Sequence, residues 1–191
     1  MIHINGNWND GYAFDYHILS STFIGNNEYG HPEFDTIRTP IGQCLYKLKY
    51  QQSQESIDKI VNIIKEDKYF NDFIKQVNTI IPVPPSNNYR ILQPVLLISR
   101  EIAKIYGKTI KEDVLESTNK EQIKNVPTEE KYEKIRNTIK LSSDLNKTDK
   151  LLIIDDVFDS GSTLTAIVSI IKEHGYKNIN IFTLTKTKKA D

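Results

Sequence analysis

The stretch Leu151–Leu164, LLIIDDVFDSGSTL, constrains the fold more than any other segment of the chain. Four apolar residues run into Asp155 and Asp156, a third carboxylate follows at Asp159, and Ser160-Gly161-Ser162-Thr163 comes next. The apolar run is far shorter than the ~20 residues of a membrane span, so it reads as a buried strand that turns into a helix. Strand–turn–helix geometry of this kind belongs to a layered α/β fold.

The neighbouring chain repeats the alternation. Asn78–Val83 is short, β-branched and closed by prolines, which predicts a strand ending near Val83. Pro94–Tyr106 has helical periodicity, with proline at its first position and Gly107 just past its end. A second short strand is expected within Lys108–Leu115 and another over Asp149–Ile154. A helix from about Gly161 to His174 is stopped by Gly175, and Asn178–Leu184 returns as the last strand. Units of about thirty residues in this order predict a parallel sheet with right-handed crossovers.

The first seventy residues read differently. Asp10–Asp35 is aromatic and punctuated by glycine, with Asn26–Gly30 as the turn of a hairpin or an irregular loop. Thr39-Pro40 starts a helix through Leu45 and Leu48, and Ser56–Lys65 is a further helix. Glu116–Lys134 is polar and shows no core face, so a mobile loop is expected there. The expected organisation is a single globular unit: an N-terminal hood or appendage over residues 1–50 and an α/β core over 51–191.

Composition narrows the partners. Lys+Arg and Asp+Glu both number 25, which gives no reason to expect a nucleic-acid or membrane surface. The single cysteine, Cys44, excludes an internal disulfide framework and a multi-cysteine zinc site, and reads as a buried helix residue. His3, His17, His31 and His174 show no metal-binding spacing. Met1–Ile4 does not open a signal peptide. A cytoplasmic globular protein is the expectation.

At the end of a parallel strand, ligands gather. Asp155 and Asp156 offer oxygens suited to sugar hydroxyls or to a hard cation such as Mg2+. Ser160 to Thr163 lead into a helix whose free N–H groups and dipole favour phosphate, and Gly161 allows close backbone approach. A ribose 5-phosphate carries both kinds of group. Rival phosphate motifs are absent: no lysine precedes Thr163 as a Walker A loop requires, and the chain has no G-x-G-x-x-G. A phospho-acceptor receiver would carry its acids on the first strand.

Leu151–Thr163 resembles the signature of type I phosphoribosyltransferases: four apolar residues, two acids, two more apolar residues, then a small loop ending Gly-x-Thr. Within that superfamily the chain is most similar to the ComF-like proteins and the amidophosphoribosyltransferase-related group, through Leu45–Tyr50, Ile81–Pro84 followed by Arg90, and the long segment before the signature. It departs from them in having no cysteine-rich zinc ribbon, and in reducing an Arg-Gly-Phe-Asn-Gln-like stretch to Arg90–Pro94.

The resemblance implies a parallel-sheet type I phosphoribosyltransferase fold that binds Mg2+ and phosphoribosyl pyrophosphate (PRPP). The implied reaction displaces pyrophosphate from C1 by a nucleobase or an amine. It assigns Asp155 and Asp156 to the ribose hydroxyls, directly or through Mg2+, as catalytic and metal-binding residues. Asp159, Ser160, Gly161, Ser162 and Thr163 form the 5-phosphate loop, where Asp159 is either a general base or a helix cap. Pro85, Ser86, Asn87, Asn88 and Arg90 lie where the family binds pyrophosphate, against the plain reading of a proline-rich connector. Lys120, Lys124, Lys131 and Arg136 fall in the family's mobile catalytic loop, although each alone reads as a solvated charge. Arg38 and Lys49 are weaker candidates. Trp8, Tyr12, Phe14, Tyr16 and Phe34 form either a hood that stacks a nucleobase or a small aromatic core under the hairpin. Homodimers are common in the family, which makes one the expected assembly.

Two other functions fit the same residues. One is a non-catalytic ComF-like sensor of PRPP or a nucleotide, acting through a partner in competence or defence. The other is an unrelated Mg2+-dependent phosphoryl-transfer enzyme using the same acids.

Overall fold

The computed structural model describes residues 1–85, 91–117, 128–142 and 145–188. The N-terminal segment supplies β1 (Ile2–His3), β2 (Asp10–Tyr16), β3 (Ile18–Asn26), β4 (Pro32–Arg38) and α1 (Pro40–Gln51). Then come α2 (Glu55–Glu66), α3 (Lys68–Ile74), β5 (Thr79–Pro82), α4 (Pro94–Tyr106) and β6 (Thr109–Ile110). The remainder is β7 (Leu115–Ser117), α5 (Thr128–Thr138), β8 (Ile139–Leu141), β9 (Leu151–Phe158), α6 (Ser162–Glu173) and β10 (Ile179–Lys186).

The main sheet has the order β1-β2-β10-β9-β5-β6. All its pairings are parallel except β1 with β2. Because side chains alternate along a strand, β9 divides the core in two. Leu151 and Ile153 join Leu164, Ile167 and Ile171 of α6 on one face. Leu152 and Ile154 join α1, α2, α3 and α4 residues on the other, including Leu45, Ile60, Phe70 and Ile98. The α/β class and its largely parallel sheet agree with the sequence reading.

Four local features differ from that reading. The first fifty residues are not a uniform appendage: β2 pairs in parallel with β10, from Asn180↔Asp10 to Lys186↔Tyr16, and extends the main sheet. Only the β3–β4 hairpin stands apart as its own two-stranded sheet. The expected aromatic grouping is dispersed accordingly. Trp8 meets Phe158 edge-on, Tyr12 meets Phe73, and Phe34 pairs with Phe23 on the hairpin. Third, part of the expected mobile loop is the helix α5, anchored by Ile135 and by Tyr132 against the α6 face. Fourth, β9 continues through both acids to Phe158, since β10 keeps pairing with it as far as Lys186↔Phe158. Among the described residues no helix is long and apolar enough to cross a membrane.

Candidate active site

β5 and β9 are neighbours, but their onward connections run in opposite directions, β5 toward β6 and β9 toward β10. Such a switch point leaves a crevice at the carboxyl ends of the strands. β5 stops at Pro82, opposite Ile154, while β9 continues. The residues after Ile154 therefore line a cavity of about 230 Å3 with Val83–Pro85, the start of α4 at Gln93–Leu96, and Thr163. A second cavity of about 100 Å3 lies beside it, walled by Asp159–Leu164. Asp155, Val157 and Thr163 line both.

The two adjacent acids lie on opposite faces of the strand, by the same alternation that splits the core. Asp155 takes the α6 side, and its Oδ1 accepts the backbone N–H of Asp156 at 2.8 Å. Burial first, and the charge of Asp156 second, push the Asp155 carboxyl up to about 7. Asp156 takes the α1 side, where Lys49 Nζ stands 2.6 Å from its Oδ2. Both side chains are largely shielded, Lys49 15% and Asp156 22% exposed. Beside this pair, His17 Nδ1 lies 3.1 Å from Thr185 Oγ1. Burial, then the charges of Lys49 and Arg38, hold the His17 imidazole below its ordinary pKa, and Asp156 opposes them.

The turn after β9 is built for a close approach. Gly161 has φ +79°, a left-handed conformation that L side chains adopt at a cost. It is the N-cap of α6 and makes no side-chain cap bond. A Cβ at this position would also stand 2.9 Å from Phe158 Cζ. Ser160 and Ser162 share a hydroxyl–hydroxyl hydrogen bond of 2.9 Å. Asp159 is exposed and accepts from Thr187 Oγ1 at 2.9 Å. The helix-cap reading of Asp159 is therefore replaced: glycine caps α6, and the acid is tied to the chain beyond β10.

A model of the phosphoribosyl transferase domain matches residues 93–191, just over half of the chain. The chain belongs to that family. The match takes in α4, β9, the acidic pair, the glycine turn and α6. No curated protein matches the sequence significantly. Among solved structures it is similar to an adenine phosphoribosyltransferase, with 11% identity over 89% of this chain and 86% of that one, at a TM-score of 0.48. The adenine phosphoribosyltransferase of Giardia lamblia complexed with 9-deazaadenine gives 12% identity, 88% and 94% coverage, and a TM-score of 0.48. Orotate phosphoribosyltransferase from Aeropyrum pernix gives 11%, 89% and 76%, and 0.46. These likenesses say nothing of a substrate.

The other residues singled out in this phosphoribosyl transferase domain and its N-terminal extension are placed as follows. Pro85 lines the larger cavity. Ser86, Asn87, Asn88, Arg90, Lys120 and Lys124 lie outside the described residues, as does the side chain of Lys131. Arg136 is displaced from the expected loop role. It sits on α5, pairs with Glu173 at 2.7 Å and with the Tyr132 hydroxyl at 3.4 Å, and so marks the end of α6 remote from the glycine turn. Cys44 is half-buried on α1. Arg38 stacks 4.0 Å over the Tyr46 ring.

Sequence reasoning understated Lys49 and, although it placed the start of α4 at Pro94, did not read that start as a wall of the site. Lys49 was legible only through its place on an apolar-stripe helix near a tyrosine, with nothing to name its partner. The cavity wall at Gln93–Leu96 had a usable signal, since a proline at the first helical position marks where a helix begins.

Proposed function

We propose that this chain binds PRPP and transfers its phosphoribosyl group to a nucleobase or an amine, releasing pyrophosphate. The observation that carries the reading is that Asp155, Val157 and Thr163 line both cavities, so that an acidic strand end and a helix start suited to phosphate share one wall. Membership of the phosphoribosyl transferase domain family supports it. The Leu45–Tyr50 segment, which forms the later half of α1, supports a ComF-like or amidophosphoribosyltransferase-related relationship within it. A homodimer is proposed on the same footing.

The residues divide the work by chemistry. Ser162 and Thr163 open α6, where the helix dipole and first-turn N–H groups favour phosphate; the Ser162 N–H meets only Ser160 Oγ, at a long 3.4 Å. Ser160 and Ser162 add hydroxyls. Asp156 places a carboxylate beside the ribose ring, where positive charge develops at C1 as the pyrophosphate departs. Asp155, with its raised pKa, is able to hold a proton at neutral pH and so to donate a hydrogen bond as well as accept one. Pro85 and the start of α4 wall the side from which the pyrophosphate leaves.

Mg2+ fits this site as a companion of the substrate. Among the described residues no group of three or more His, Cys, Asp or Glu gathers to hold a metal ion. Mg2+ is commonly held by one or two carboxylates together with substrate phosphates. Here, however, Lys49 already occupies Oδ2 of Asp156. The ion of Mg-PRPP is accordingly read as carried in on the diphosphate oxygens.

Turnover tests the reading directly. Wild-type protein is incubated with Mg-PRPP and a panel of purines, pyrimidines and amines, and released pyrophosphate is measured. The expected outcome is release with at least one acceptor, lost in Asp156→Asn. Binding of PRPP without release for any acceptor would favour the sensor instead.

A further inference from the structure

Lys49 reaches the acidic pair from α1, outside the residues matched by the family model. Its position is fixed by packing along the whole helix. Thr39 caps α1, its Oγ1 accepting from Gly42 N at 3.1 Å and donating to the Tyr16 carbonyl at 2.6 Å. At Gly42 the helix backbone touches the end of β2 so closely that a Cβ would stand 2.2 Å from the His17 carbonyl oxygen. Leu45 and Leu48 are fully buried on the adjacent turns. Lys49 lies in the last turn, where the helix dipole favours a cation. A side chain that loses several rotamers on ordering is thus delivered to Asp156 by a rigid element, and the pair is shielded at a 2.6 Å separation.

That arrangement leaves a divalent cation little to gain at Asp156. An ion arriving at that oxygen must displace an ammonium that already neutralises the carboxylate within a shielded pair. Asp156 nonetheless lines the larger cavity, so its carboxylate remains open to a ligand on that side. A sugar hydroxyl is a neutral donor, and it meets no charge penalty from Lys49.

We propose that Lys49 is a positioning residue and the resident cation of the acidic pair, fixing the Asp156 carboxylate for the ribose hydroxyls in the place a protein-bound divalent ion would take. The proposal rests on the ribose-phosphate reading above. It predicts that the ribose 5-phosphate half of the ligand binds without any metal, because that half carries no diphosphate to bring one.

The probe is ribose 5-phosphate, titrated calorimetrically in EDTA and in Mg2+ against wild type, Lys49→Met and Lys49→Arg, each first checked for a cooperative thermal transition. Wild type is expected to bind equally well in EDTA and in Mg2+. Lys49→Met is expected to lose about tenfold or more in EDTA, the scale of one charge-assisted contact, and to recover much of that loss in Mg2+. Lys49→Arg, which keeps the charge, should stay near wild type in both buffers. A purely architectural lysine would lower affinity in both buffers alike, and that result overturns the proposal. So does a wild type that binds only with Mg2+, or a Lys49→Met that binds as well as wild type in EDTA. If wild type binds neither ribose 5-phosphate nor Mg-PRPP in any buffer, the ribose-phosphate reading itself fails, which separates the two ideas.

Discussion

β9 and the β3–β4 hairpin are both β structure, but they sit in opposite environments. β9 has a parallel partner on each side and helices on both faces, and Leu151 to Ile154 are wholly buried. The hairpin pairs only with itself, and Phe23 and Phe34 are 56% and 53% exposed. A strand held from four sides can carry carboxylates into partial burial and keep them there, since the packing offsets the desolvation. A free hairpin has no such reserve, and two strands alone are marginal in water. Stability and function should therefore both concentrate around β9, and each of the following measurements presses on that contrast.

The largest effect is expected in the core that backs β9. Phe182 is fully buried on β10, its ring 4.6 Å from that of Phe70. Phe182→Ala should cost about 3–5 kcal/mol, read from denaturant unfolding. A cost below 1 kcal/mol would show that the sheet's α1–α4 face is not the stabilising core.

Next comes Asp155→Asn, whose effect depends on pH. The folded carboxyl titrates near 7 rather than at its ordinary 3.8, so the native state holds the proton more tightly than the unfolded chain does. Between those two values the unfolded state is the more ionised, and wild-type stability falls as pH rises. The full cost is present above about pH 7 and absent below about pH 4. Removing the charge should therefore leave the acid-side Tm little changed and raise it by several degrees at pH 8, a few kcal/mol at most. A Tm difference that is flat from pH 4 to pH 8 would contradict the burial of this acid.

Gly161→Ala should cost about 1–2 kcal/mol, from the left-handed backbone and from contact with the Phe158 ring. It should also weaken inorganic phosphate binding, measured by calorimetry. Retained stability with unchanged phosphate binding would show that the turn is not the phosphate loop.

Phe34→Ser on the hairpin is the smallest. Loss of one exposed cross-strand aromatic pair should change global stability by less than about 1 kcal/mol. A larger loss would mean that the hairpin belongs to the cooperative unit after all, and the contrast with β9 would dissolve.

What was legible in the sequence follows from how local each feature is. The β9–α6 unit is contiguous, so four apolar residues, a glycine and a helical period were enough to find it. α4 was bounded by its own proline and by Gly107. The strand was read as ending at Ile154, just before the acids; they stay within it because β10 extends alongside. β2 gave no sign that it joins the main sheet, since its partner β10 lies far along the chain. Lys49 was hidden for the same reason: its carboxylate partner is brought to it only by the packing of α1 on the sheet. α5 has few apolar residues, and its anchor at Ile135 becomes recognisable only against α6.

One titration bears most directly on the central claim, that a sugar phosphate lies across the end of β9 between the acids and the glycine turn. Mg-PRPP is titrated calorimetrically into wild type and into the Asp155→Asn/Asp156→Asn double variant, both shown to be folded. The account predicts saturable one-site binding to wild type, weakened at least about tenfold in the double variant by loss of the hydroxyl contacts. Equal affinity in the two proteins would contradict it.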